Sequence, residues 1–274
     1  VIPGGVRSMR AGWRRLFIIA GLVLVAGTAL PARASADPEL LKLLGCMRGN
    51  IPQSLQIQDV ELVASERDGR QRLLRGRLFL SREKQRLRAM LRLDAPADLA
   101  GSAYLLRERD DGADEMYVFI PSLNRVRRIS NDASNGKLWG TDLAYTDMRQ
   151  LGSAVSLSAT RLTGAETIAG RLTQRLTIKL PPSDTALFSE LQIWVDAQSC
   201  IATRVDFVSG KAAVKRLSID PQRLQREGPY WYATELTIAD LGAGTQTRLK
   251  VLGIRLDTGL ADRIFNPASF HLGR

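Results

Sequence analysis

The chain is poor in the residues that usually carry catalysis and metal binding. It has one histidine and two cysteines, and aromatics make up only 6% of its 274 positions. A Ser-His-Asp arrangement would have to use His271, four residues from the end, where a tail side chain is expected to face solvent. Zinc sites draw on His and Cys, and there are too few of either. The acidic group Glu108, Asp110, Asp111, Asp114 and Glu115 fits no EF-hand spacing, and interleaved Arg107 and Arg109 suggest a solvated hairpin end. Phosphate-cradling and dinucleotide-binding glycine motifs are missing. No pair of carboxylates stands out for glycoside chemistry. No cofactor is implied, and the reading is of a protein that binds and is not an enzyme.

Long apolar runs are also scarce, with one exception at the start. Met9 is followed by Arg10, Arg14 and Arg15, then by an uncharged run from Leu16 to Leu30, Pro31, and small residues at Ala32, Ala34, Ser35 and Ala36. A basic start, an apolar stretch of about 15 residues and an A-x-A-like end are the parts of a secretory signal peptide. The run is shorter than the ~20 residues of a spanning helix. Cleavage after Ala34 or after Ala36 both fit. Residues 1–36 are therefore expected to be removed, leaving 37–274 as one domain in the periplasm. That removal takes five arginines and no acid, so the formal charge falls from +11 to +6. The remainder is mildly attractive to anionic lipid surfaces and weak as an argument for nucleic acid.

An even cysteine count in an oxidising compartment favours a bridge between Cys46 and Cys200. It would contribute on the order of 4 kcal/mol in the loop-entropy picture. Two free buried thiols remain the plain alternative. A lipid anchor on Cys46 is another, since Leu43-Leu44-Gly45-Cys46 looks like a lipoprotein box, although charged residues separate it from the apolar run.

The rest of the pattern is that of a β protein. Asp37-Pro38-Glu39 opens a short amphipathic helix with a stripe of Leu40, Leu41, Leu44 and Met47, stopped by Gly49-Asn50. Period-two runs follow at Leu87–Leu93, Leu172–Leu180, Leu191–Val195, Ile201–Phe207 and Tyr230–Ile238, then Leu249 and Val251. Turn signals such as Asp68-Gly69, Ser209-Gly210 and Gly228-Pro229 separate them. The expectation is an antiparallel meander of roughly ten to twelve strands with one apolar and one wet face. The arginine-rich stretches 67–77 and 82–92 read as the wet face. Residues 130–140 read as a polar, flexible loop that ends in Leu138 and Trp139. Thr141-Asp142 is placed to cap a short helix bearing Leu143, Tyr145 and Met148.

The central stretch runs Met116-Tyr117-Val118-Phe119-Ile120-Pro121-Ser122-Leu123-Asn124-Arg125-Val126-Arg127-Arg128-Ile129, then Gly140-Thr141-Asp142-Leu143-Ala144-Tyr145-Thr146-Asp147-Met148. It resembles the Y-L-P-x-L-x-R-V-R-R-I … G-T-D-[FL]-x-Y-x-D-[LM] pattern of outer-membrane lipoprotein-sorting-like proteins, in the superfamily of LolA, LolB and the RseB-type sensors. The chain end from Tyr230-Trp231 to Phe265-Asn266-Pro267 and Phe270 is similar to the same group. The resemblance implies a strongly curved antiparallel sheet, an unclosed β-barrel wrapped over a few short helices, with a concave apolar cavity for acyl chains. It also implies a monomeric carrier of lipid or lipoprotein toward the outer membrane, serving an RND-type exporter. Candidate cavity residues are Phe119, Leu123, Trp139, Tyr145, Trp194 and Trp231. Candidate headgroup or partner contacts are Arg125, Arg127 and Arg128, whose planar forks suit phosphate. The other readings are an RseB-like envelope-stress sensor and, further off, an envelope-lipid hydrolase using His271.

Overall fold

The structure, a computed structural model, describes residues 37–84, 86–109, 114–130, 136–145, 147, 160–180, 187–257 and 261–272. Residues 1–36, with the expected signal peptide, lie outside the described residues, as do Asp110, Asp111, residues 131–135 and Met148.

Helix α1 (Pro38–Gly49) starts as the sequence predicts. The Asp37 side chain accepts a hydrogen bond from the Glu39 N–H and Pro38 occupies the first turn. Its buried stripe is Leu40, Leu43 and Leu44, while Leu41 is 44% exposed. One step along a helix turns the side chain by about 100°, so Leu43, not Leu41, shares the face of Leu40 and Leu44. Asn50 closes the helix and ties it down. Its Nδ2 donates to the Ser199 carbonyl at 2.6 Å, and its Oδ1 accepts from the Trp231 N–H at 2.9 Å.

Fifteen strands follow among the described residues, more than the sequence pattern suggested: β1 (Leu55–Ser65), β2 (Gln71–Glu83), β3 (Arg86–Ala95), β4 (Ala103–Arg107), β5 (Glu115–Ile120), β6 (Arg125–Arg128), β7 (Thr160–Ile168), β8 (Arg171–Lys179), β9 (Glu190–Asp196), β10 (Ala202–Ser209), β11 (Ala212–Ser218), β12 (Leu224–Glu227), β13 (Tyr230–Ala233), β14 (Glu235–Asp240) and β15 (Thr245–Asp257). Thirteen make one curved antiparallel sheet in the order β6-β5-β4-β3-β2-β1-β15-β14-β11-β10-β9-β8-β7; β12 and β13 form a separate ribbon. The expected single strand from Tyr230 to Ile238 is thus two. At Thr234 the ladder changes partner, its N–H donating to the Arg223 carbonyl and its own carbonyl accepting from the Val251 N–H.

The topology fixes where the sheet stays open. Two meanders are joined through the long pairing of β1 with β15, and β6 and β7, consecutive in the chain, end up on opposite edges. Of the segment between them, the described residues 136–145 and 147, the crossing segment, pack toward the inner face.

Strand register separates two faces. One carries Leu176, Ile193, Val205 and Leu217 in line with Ile238, then Leu249, Leu62 and Leu74 on the neighbouring strands. Helix α1 and the crossing segment cover this inner face. The opposite, outer face is not simply wet. Across β1 to β4 it buries Ile57, Phe79, Met90 and Leu105, against Ile264, Phe265 and Phe270 near the C-terminus. Sequence alternation could not show this, because the covering group is the distant chain end.

Candidate functional site

The described residues of the crossing segment are held by several backbone and side-chain hydrogen bonds. Lys137 bridges Ala144, and the Leu138 N–H donates to the Leu143 carbonyl at 2.7 Å. Trp139 and Gly140 both take positive φ, 48° and 79°, which reverses the chain between them. Leu138 (2% exposed) and Leu143 (6%) drop into the inner-face cluster with Ile129, Tyr104 and Leu106. Trp139 and Tyr145 are half-buried against the same cluster, and the Tyr145 ring lies 5.4 Å from that of Tyr104.

Two carboxylates fasten this segment to two different strands. Asp142 was expected to help cap a helix. Its carboxylate instead accepts from Thr245 Oγ1 at 2.5 Å and Thr247 Oγ1 at 2.8 Å on β15, and from Lys137 Nζ at 3.2 Å. Its backbone N–H also donates to Thr247 Oγ1. Asp147, fully buried, accepts from Lys215 Nζ on β11 at 2.6 Å and from the Ala144 N–H at 2.7 Å. Burial pushes the Asp147 carboxyl up from its ordinary range, a tendency opposed by the Lys215 ammonium. The Lys215 ammonium lies over the Phe188 and Phe207 rings, 5.7 and 5.9 Å from their centroids. The G-T-D-x-x-Y-x-D pattern is therefore a two-point latch over the inner face. Lys215 was missed in the sequence, although it stands two residues before Leu217 and so shares its inward register.

The sequence-predicted residues do not converge on one place. Trp139 and Tyr145 meet at the inner face. Phe119 lies on the outer face and stacks on His271 with centroids 4.3 Å apart, so His271 is packed and not a free tail side chain; burial lowers its pKa. Trp194 is buried on the outer face, where Arg204 lies 4.3 Å above the ring and Nε1 donates to Glu166. Trp231 sits in the β12–β13 ribbon beneath Arg226, near the end of α1. Leu123 is 57% exposed in the turn between β5 and β6. Arg125, Arg127 and Arg128 are exposed on the edge strand β6 and have no ion-pair partner among the described residues. Register puts Arg125 and Arg127 opposite Ile120 and Val118 on the inner side, and Arg128 opposite Tyr117 on the outer side.

Cys46 of α1 is joined to Cys200, in the turn after β9, with Cα atoms 5.8 Å apart. The bridge pins α1 across the inner face and occupies the sulfur that a lipid anchor would need. A cavity of about 270 Å³ adjoins it, lined by Leu43, Leu162 and Gln174 among others. Among the described residues no cluster of His, Cys, Asp or Glu is placed to hold a metal ion, and no helix is long and apolar enough to cross a membrane.

A sheet of this size, left open between β6 and β7 and packed on its inner face by α1 and the latched segment among the described residues, is an open half-barrel. Three solved structures share it. A domain from Vibrio parahaemolyticus described as part of an outer membrane lipoprotein-sorting protein matches with TM-score 0.74 and 22% identity, over 84% of this chain and 96% of that one. A DUF1329 family protein from Desulfovibrio piger matches with TM-score 0.73 and 22% identity, over 83% and 96%. A LolA superfamily protein from Nitrosomonas europaea matches with TM-score 0.63 and 17% identity, over 85% and 98%. No curated protein matches the chain. A family model described as an uncharacterized protein matches residues 85–271, more than half of the chain. The chain belongs to that family, and its fold is LolA-like.

Proposed function

We propose that the chain is a periplasmic carrier that holds acyl chains of a lipid or lipoprotein against the inner face, beneath the latched crossing segment. The observation that carries this reading is the continuity of that face: apolar side chains line up across strands from β8 to β5, and the same two aspartates that close the crossing segment are its polar anchors. Leu138, Leu143, Trp139 and Tyr145 occupy the position that a chain would take. Each buried methylene contributes about 0.8 kcal/mol, so one long chain can replace those contacts without any covalent chemistry. The inner-side register of Arg125 and Arg127 at the open edge supports contact with a headgroup phosphate. The lipoprotein-sorting description of the Vibrio domain supports this cargo class and a periplasmic address. The signal-like first 36 residues support the same address, and removing them leaves residues 37–274 as the carrier domain. It acts as a monomer without catalysis, handing cargo to or from an RND-type inner-membrane exporter.

Titration with a fluorescent fatty acid, together with native mass spectrometry of protein purified from a bacterial periplasm, tests the proposal. Co-purifying lipid and saturable binding at one equivalent are expected. Bare protein in repeated preparations, with no fatty-acid binding, would overturn it.

A further inference from the structure

The outer face carries a second feature that the carrier reading does not use. A cavity of about 410 Å³ lies between β1–β3, the end of β15 and the C-terminal segment. Its floor is apolar, made by Ile57, Phe79 and Met90 from the sheet and by Ile264, Phe270 and Leu272 from the chain end. Four arginines line it, Arg77, Arg92, Arg255 and Arg263, against one carboxylate, Asp257.

Arg77 and Arg92 are half-buried, while Arg255 and Arg263 are exposed at the mouth of the cavity. Arg77 and Arg92 are direct cross-strand partners, an arrangement that destabilises a sheet by like-charge repulsion. Asp94, the extra residue of the bulge opposite Arg75 and Gly76, reaches Arg77 at 3.3 Å. Asp59 pairs with Arg255 at 3.1 Å. The side chains of Arg92 and Arg263 have no hydrogen-bond or ion-pair partner among the described residues, and the Arg92 Nε is buried. A buried guanidinium donor without an acceptor is costly, and two guanidiniums without side-chain partners, next to apolar side chains in one cavity, are the complement of an anionic amphiphile.

We infer that this cavity is a second binding site, for a phosphate-bearing amphiphile, with Arg92 and Arg263 on the phosphate and the first methylenes of one chain on Phe79, Met90, Phe270 and Leu272. The volume is near the lower end of small-molecule pockets, about 300–1,000 Å³, and suits a headgroup with part of one chain. The site is independent of the inner face.

Calorimetric titration of the folded protein with dodecyl phosphate, dodecyl maltoside and inorganic phosphate tests it. Dodecyl phosphate is expected to bind at least tenfold more tightly than either of the others. Arg92→Gln and Arg263→Gln should each weaken it about tenfold, while Trp139→Ala leaves it unchanged. Equal binding of dodecyl maltoside would remove the anion role, and equal binding of inorganic phosphate would remove the apolar floor. Loss in Trp139→Ala but not in the arginine variants would place the amphiphile on the inner face; each of these results overturns the inference. Arg263 is exposed, so Arg263→Gln decides the question even if Arg92→Gln fails to fold. Fatty-acid binding at the inner face is read separately in the same variants.

Discussion

Asp147 and Lys215 form a buried ion pair at 2.6 Å, joining the segment that crosses the open edge of the sheet to a strand in its middle, 68 positions away in sequence. Breaking such a pair from one side leaves an uncompensated charge and costs about 3–5 kcal/mol. Lys215→Met should therefore lower stability by roughly 3 kcal/mol at pH 7, read from urea denaturation midpoints. The deficit should shrink in acid. Burial already raises the Asp147 carboxyl above its ordinary value, and removing the ammonium raises it further. A protonated Asp147 needs no cation, so the penalty is absent below the unfolded-state aspartate pKa and grows as pH rises through the folded one. A deficit independent of pH would contradict this account of the latch.

Asp196 behaves in the opposite sense. Burial alone would raise its pKa, but the bidentate Arg171 and the Ser199 hydroxyl and N–H outweigh that and hold it at about 2. A depressed carboxylate gives stability that is present above its unfolded pKa and is lost as pH falls toward 2. Asp196→Asn should destabilise the protein at pH 7 and flatten the stability profile between pH 4 and pH 2. An unchanged acid limb would show that the pair contributes nothing.

The Cys46–Cys200 bridge spans 154 positions. In the loop-entropy picture a loop of that length is worth about 4–5 kcal/mol. The Cys46→Ala/Cys200→Ala variant should melt several degrees lower, and alkylation of the native protein without reductant should label no thiol. Two alkylatable thiols, or a diacylglyceryl mass on Cys46, would refute the pairing.

Gly76 sits where β2 meets the bulge in β3, and a methyl group there would lie 2.1 Å from the Arg92 carbonyl oxygen. Backbone must move to admit it. Gly76→Ala should cost about 1–3 kcal/mol and weaken dodecyl phosphate binding at the neighbouring Arg92. A neutral effect on both would show that the strand pair is looser than its register implies.

Much of the sheet was legible because one face is apolar over long strands. Leu176, Ile178, Leu191, Ile193, Val205 and Phe207 fall inward as their alternation requires. The helix start was legible because Asp37 and Pro38 act locally. What alternation could not convey was long-range cover. Phe79 and Met90 read as neighbours of wet-face arginines, yet Phe265 and Phe270 arrive from the far end of the chain to bury them. The candidate site was half legible. Asp142 and Asp147 stood in the quoted motif, but their partners Thr245, Thr247 and Lys215 are set by topology and not by spacing. Trp194 and Phe119, chosen as large aromatics, belong to outer-face packing because their register is odd to that of the inward residues.

The central claim is that acyl chains occupy the inner face beside Trp139. Quenching of tryptophan fluorescence by a dibrominated stearic acid tests this directly, since bromine quenches only a ring close to the bound chain. Trp139 lies against the inner cluster and Trp194 on the opposite face, so the two substitutions report on opposite sides of the sheet. The account predicts saturable quenching in the native protein and in Trp194→Phe, and its loss in Trp139→Phe with fatty-acid affinity retained. Quenching that survives Trp139→Phe and disappears in Trp194→Phe, or no quenching in any form, would contradict it.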